Sequence, residues 1–169
     1  FNNSFGCSLD CPMTKYMMVD IETSGLKPSE AEILQIGILE LSKDGSGFFT
    51  PGRSYEKILH FDTPVTDPWI LKTHANLLER CKAVEYQSPT EVRAEIVRFF
   101  QQCTGGSNVY LMGLNASTFD YPWMLNKGYL KEGDCHYRIF ELTGAYGLAQ
   151  ATLFLDGDNA KDRKTFFDM

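Results

Sequence analysis

No run of apolar residues in this sequence approaches the about 18 needed to cross a bilayer, which argues against a spanning helix or a secretory hydrophobic core. Positive charge is scarce as well. With 16 Lys and Arg against 22 Asp and Glu, the formal charge is -6, and a broad basic face gripping duplex DNA is excluded, because such affinity comes mostly from neutralising phosphates. A small substrate, or one bound through metal ions, is compatible with that balance. Cysteine follows no framework: the five, at 7, 11, 81, 103 and 135, are odd in number and irregular in spacing. The pattern reads as a reduced, intracellular, cytoplasmic protein. Cys7 and Cys11 could form half of a zinc site, but no Cys or His pair follows at a matching distance. Internal repeats, low-complexity tracts and interdomain linkers are also missing, so one domain is expected.

What is present is enough apolar material for a sizeable core: 43% hydrophobic and 13% aromatic residues in 169. Residues 1–12 are polar and turn-rich and precede Met13, which reads as the native first residue; residues 13–169 are then the domain and 1–12 an appended extension. A β-strand over Tyr16 to Glu22 is followed by a break at Gly25 and Pro28. A second strand runs over 32–41 to the turn signature Asp44-Gly-Ser-Gly47, and a third is expected in two pieces, 48–50 and 55–61. These make an antiparallel meander. Short helices are expected around 68–74 and 76–83. Ser88-Pro-Thr-Glu91 is a capping box with proline at the first helical position, and Val92, Ile96, Phe99, Phe100 and Cys103 share one helical face up to Gly105-Gly106. Val109 to Leu114 reads as a strand buried on both faces. A helix over about 120–127, a strand at 137–140 and a helix over about 145–154 complete an α/β fold, a mixed central sheet flanked by helices.

Asp20 and Glu22 end the first strand. Side chains at i and i+2 leave a strand from the same face, so two carboxylates converge, and converging carboxylates call for a hard divalent cation such as Mg²⁺ or Mn²⁺. Asp120 opens a helix directly after the buried strand, at the sheet edge where ligand sites gather in open α/β folds.

Asp20-x-Glu22 on the first strand and Asn115-x₃-Phe119-Asp120 after a later one resemble the first two motifs of the DEDD superfamily of 3′→5′ exonucleases. Between and beyond them, Trp69-Ile-Leu-Lys-Thr-His74 with the Ser88-capped helix, and Cys135-His-Tyr-Arg-Ile-Phe-Glu141, look like the corresponding stretches of oligoribonuclease. The resemblance implies a ribonuclease H-like fold and hydrolysis of a 3′-terminal phosphodiester by two Mg²⁺ or Mn²⁺ ions about 3.5–4 Å apart. It implies that Asp20 bridges the ions, that Glu22 holds one and orients the attacking water, and that Asp120 binds the other. Thr23, Gly25 and Leu26 would lie beside the terminal nucleotide, Thr23 by its backbone near the sugar and Leu26 wedged against the base. Trp69, His74, Asn115 and Phe119 are further contacts by position. The implied partner is a short single-stranded RNA or DNA, and a homodimer is expected as in oligoribonucleases.

The third motif of that superfamily carries a fourth carboxylate, with a histidine five residues before it or a tyrosine four before it. Before Asp158, Asp162 and Asp168 stand Leu153, Gly157 and Arg163 at the histidine position, and Phe154, Asp158 and Lys164 at the tyrosine position. His60, His74 and His136 all lie elsewhere. Three readings stay open: a third motif outside this chain, which the oligoribonuclease spacing would put just past Met169; a compressed motif with Asp168 as fourth metal ligand; or a catalytically inactive relative that binds nucleotides or single strands.

Overall fold

The computed structural model of the chain describes residues 15–43 and 49–143. Five strands, β1 (Lys15–Thr23), β2 (Ile33–Lys43), β3 (Phe49–Ile58), β4 (Val109–Gly113) and β5 (Phe140–Glu141), form one sheet in the order β3-β2-β1-β4-β5. β1 is antiparallel to β2 and parallel to β4, β2 is antiparallel to β3, and β4 is parallel to β5. This open mixed sheet, an amino-terminal meander continued by parallel strands, is the expected ribonuclease H-like architecture. Among the described residues four helices accompany it: α1 (Pro68–Thr73), α2 (Ala75–Ala83), α3 (Pro89–Thr104) and α4 (Asp120–Asn126). Among the described residues, no helix is long and apolar enough to cross a membrane.

Period-2 alternation in β1 divides the molecule. Met17, Val19 and Ile21 point into the main core, where they meet Val92, Ile96, Phe99 and Phe100 of α3 and Trp123 and Met124 of α4. Ile96 is fully buried, and truncating it to alanine would cost about 2–5 kcal/mol. Tyr16, Met18, Asp20 and Glu22 leave the opposite face. A second, smaller cluster of Leu34, Phe61, Ile70, Leu77, Leu78 and Cys81 holds α1 and α2 to the sheet.

Helix ends obey the sequence. Ser88 Oγ accepts from Glu91 N while Glu91 Oε2 accepts from Ser88 N at 2.8 Å, and α3 stops at Gly105 with φ 61°. Asp67 caps α1 by accepting from Trp69 N at 2.8 Å, which fixes the helix that delivers Trp69 and His74.

Two strands differ from expectation. β3 is one continuous strand rather than two pieces, running through Pro51 and Gly52 and ending at Ile58 rather than Phe61. It is an edge strand, where a missing N–H costs no ladder bond, and Pro51 lies opposite Leu41 at the register shift in β2. β5 is shorter and later than 137–140, because His136 N donates to Val109 O at 2.7 Å and Arg138 N to His136 Nδ1 at 3.1 Å, which turns the chain before pairing begins. The expected turn at 44–47, the helix over 145–154 and residues 1–12 lie outside the described residues.

Candidate active site

The parallel ladder between β1 and β4 runs from Lys15↔Val109 to Met18↔Met112 and stops there. At the next position a Cβ on Gly113 would lie 2.7 Å from the Val19 carbonyl oxygen, so only glycine lets β4 end so close to β1. The chain then turns away through Asn115, in the left-handed region at φ 58°, and enters α4. That detour carries Asp120 back to β1. Its Oδ1 accepts from Ile21 N at 2.9 Å, supplying the bond that a longer β4 would have made. Ile21 separates Asp20 from Glu22, so Asp120 is fastened to the same stretch of β1 that carries the other two acids expected from sequence, near enough to Asp20 to feel its charge.

Burial raises the proton affinity of all three. Burial pushes the carboxyl of Asp20 up from its ordinary value. Burial does the same to Glu22, opposed by His74 and reinforced by Asp20. Asp120, only 3% exposed, is pushed up to about 6: desolvation is the main cause, the Ile21 N–H works against it, and the charges of Asp20 and Glu141 add to it. Among the described residues no Lys or Arg pairs with any of the three. Among the described residues the basic side chain paired with one of them is His74, whose Nε2 lies 3.4 Å from Glu22 Oε2.

The donor set is three carboxylates, all hard oxygen, with raised proton affinities that a divalent cation would reverse. Its chemistry fits Mg²⁺ or Mn²⁺. Among the described residues, however, no three His, Cys, Asp or Glu side chains lie close enough together to enclose an ion. Asp168 lies outside the described residues.

The expected substrate contacts fall into two groups. Leu26 is 81% exposed and Trp69 62% exposed, the Trp69 ring meeting His74 edge-on at 5.7 Å, so a half-buried His74 links an open aromatic surface to Glu22. Thr23, Gly25, Asn115 and Phe119 are also engaged in local structure. Thr23 Oγ1 donates to Gly25 O at 2.7 Å, and a Cβ on Gly25 would come within 2.9 Å of Ala31 Cβ. Asn115 Oδ1 accepts from Thr143 Oγ1 at 3.1 Å, and Phe119 packs on Trp123 at 5.6 Å.

One residue of this site was not singled out in sequence as functional. Glu141 Oε1 accepts from Ala116 N and Oε2 from Ser117 Oγ, each at 2.9 Å, and its charge reaches Asp120. The only available signal was an acid ending a short apolar strand.

No protein-family model matches the chain, and no curated protein matches its sequence significantly. Solved structures match its fold. The zinc-bound form of an E. coli exonuclease I complex with single-stranded DNA aligns over 87% of this chain and 31% of that one, at 15% identity and a TM-score of 0.62. E. coli exonuclease I with a dT13 oligonucleotide aligns over 86% and 31%, at 15% identity and a TM-score of 0.60. A product-bound exonuclease I aligns over 87% and 34%, at 15% identity and a TM-score of 0.61. This chain therefore spans about a third of the length of the exonuclease I chains it matches. What the likeness establishes is a shared α/β fold, the open mixed sheet flanked by helices.

Proposed function

We infer that this chain carries a DEDD-type 3′→5′ exonuclease domain, similar in kind to oligoribonuclease, which hydrolyses phosphodiesters at the 3′ end of a short or single-stranded nucleic acid. One observation carries the reading: Asp120 is hydrogen-bonded to Ile21 N, between Asp20 and Glu22 in the chain, in a fold shared with exonuclease I. Two acids at the end of β1 and a third fastened to it from α4, with no Lys or Arg paired to them among the described residues, suit a phosphodiester only with metal help. Asp20, Glu22 and Asp120 would hold the Mg²⁺ or Mn²⁺ ions, which when bound neutralise phosphate charge and lower the pKa of an attacking water.

The chain's own contributions are orientation and binding. The Ile21 N–H fixes one oxygen of Asp120 beside Asp20. His74 holds Glu22 from the side and is itself backed by Trp69. Trp69 and Leu26 offer exposed apolar surface for stacking or wedging bases, a sequence-tolerant mode suited to single strands. The exonuclease I structures that share this fold are complexes with single-stranded DNA and a DNA oligonucleotide, which favours DNA as the first substrate to try.

The test is a full-length preparation given Mn²⁺ or Mg²⁺ and 5′-labelled single-stranded DNA and RNA oligonucleotides. Progressive shortening from the 3′ end is expected, and Asp20→Ala should end it. Binding without shortening would identify the non-catalytic relative instead. Intact oligonucleotides together with no calorimetric Mn²⁺ binding would sink both readings.

A further inference from the structure

β5 is only two residues long, yet it and the residue two positions beyond it fasten the loop between β4 and α4 at four points. Glu141 Oε1 accepts from Ala116 N and Oε2 from Ser117 Oγ, both at 2.9 Å. Thr143 Oγ1 accepts from Asn115 N and donates to Asn115 Oδ1, both at 3.1 Å. The carbonyls of the same two loop residues hold the entry to α4. Asn115 O accepts from Phe119 N at 2.8 Å, and Ala116 O from Tyr121 N at 2.9 Å. Asn115 and Ala116 are thus gripped on one side by the β5 segment and on the other by the helix whose first residue is Asp120.

The grip matters because it adds, from the β5 segment, to the loop's own bonds: Thr118 N and Phe119 N already donate to Asn115 O, and Ala116 is buried in the main core. Asn115 sits at φ 58°, a conformation that non-glycine residues adopt only when their surroundings impose it. Asp120 must then place Oδ1 within 2.9 Å of Ile21 N, across 99 residues of sequence. Each oxygen of Glu141 accepts from a loop donor, which is the geometry of a brace.

We propose that Glu141, assisted by Thr143, is a positioning residue that sets the Asn115-to-Asp120 loop so that the Asp120 carboxylate is presented to Ile21 N beside Asp20. Its catalytic consequence rests on the exonuclease reading above, but the brace itself does not.

The full chain and its Glu141→Ala, Glu141→Gln and Thr143→Val variants are compared in two ways. First, amide hydrogen exchange is followed in metal-free protein. Glu141→Ala should speed exchange at Ala116 and Ile21 by about tenfold or more, the loss expected for hydrogen bonds to a charged group, while amides of the β1–β2 ladder away from Ile21 stay protected. Glu141→Gln keeps an oxygen for Ala116 N and should retain most of that protection. Thr143→Val should loosen Asn115 alone. Second, on single-stranded DNA with Mn²⁺, Glu141→Ala should lower kcat by about tenfold with little change in KM, and Glu141→Gln should recover most of it. Unchanged exchange at Ala116 and Ile21 in Glu141→Ala would overturn the proposal. Should that variant not fold, Glu141→Gln losing as much kcat as Asp120→Asn, with Ala116 protection intact, would overturn it in favour of a direct ligand. A wild type without turnover whose Glu141→Ala variant nevertheless loosens Ile21 would leave the brace standing and remove the exonuclease.

Discussion

Glu40 and Asp120 are two buried acids serving opposite ends of β1, 7% and 3% exposed, and their surroundings drive them in opposite directions. Burial alone would push the Glu40 carboxyl up. The Lys15 ammonium at 3.1 Å, the Arg53 N–H at 3.4 Å and Cys103 together bring it below its ordinary value instead. Burial pushes Asp120 up; the N–H groups of Ile21 and of Asp120 itself oppose this, but the negative charges of Asp20 and Glu141 reinforce it, so it ends far above its ordinary value. An acid buried with its own cation is electrostatically complete, and its role is structural. An acid buried among acids is complete only when positive charge comes from outside, which is why perturbed carboxyls concentrate at sites that bind or react.

Activity should separate the two ends most sharply. Asp20→Asn and Asp120→Asn are expected to lower exonuclease turnover by about 10²–10³-fold or more, the scale of losing a preorganised electrostatic group in a site. Glu40→Gln should leave turnover near wild type. The measurement is kcat on labelled single-stranded oligonucleotides with Mn²⁺ at a temperature where every variant is folded. Equal losses from both ends would erase the distinction.

Stability should separate them in the other direction. Glu40→Gln takes away the charge opposite Lys15, whose side chain is 18% exposed and which also donates to Ser42 Oγ at 3.1 Å, and should cost about 1–3 kcal/mol in denaturant unfolding. Replacing both, Lys15→Met with Glu40→Leu, should recover most of that, since a pair of apolar groups leaves nothing unpaired. The Glu40 contribution has a definite sign with pH. Its folded carboxyl lies below the unfolded one, so the stabilisation is present above pH about 4.5 and is lost as pH falls through the lowered folded value.

How much of this was legible beforehand depended on how local each cause is. Alternation placed Asp20 and Glu22 on one face, because a strand's period is fixed by its backbone. The capping box at Ser88 and Glu91 marked the start of α3, because both partners lie within one turn. Asp120 was found from its place after a buried strand. β3 was not read as continuous, because proline and glycine break a central strand and nothing in the sequence says that this one is an edge. β5 shrank for a similar reason: its approach is turned by His136 donating to Val109, a contact 27 residues apart. Glu141 escaped as a functional residue because its partners, Ala116 and Ser117, become neighbours only once β5 has docked on β4.

The smallest expected effect is also the most direct test of the contrast. Asp120 has a folded carboxyl near 6 against an ordinary 3.8, so the folded state binds its proton more tightly than the unfolded state does. Its contribution therefore favours folding below pH about 4 and is lost as pH rises through 6, the reverse of Glu40. A shift of that size corresponds at most to about 3 kcal/mol, and solvent screening reduces it to about 1–2 kcal/mol. Asp120→Asn keeps an oxygen for Ile21 N–H and removes the charge. In metal-free protein it should therefore be more stable than wild type by about 1–2 kcal/mol at pH 7.5, with the gain gone at pH 4. Added Mn²⁺ should narrow the gap at pH 7.5 by stabilising the wild type alone, through mass action on the folded state. A variant less stable than wild type at pH 7.5 would show that Asp120 is held as Glu40 is, by bonds that favour its charge, and the acid cluster at the end of β1 would then be scaffold.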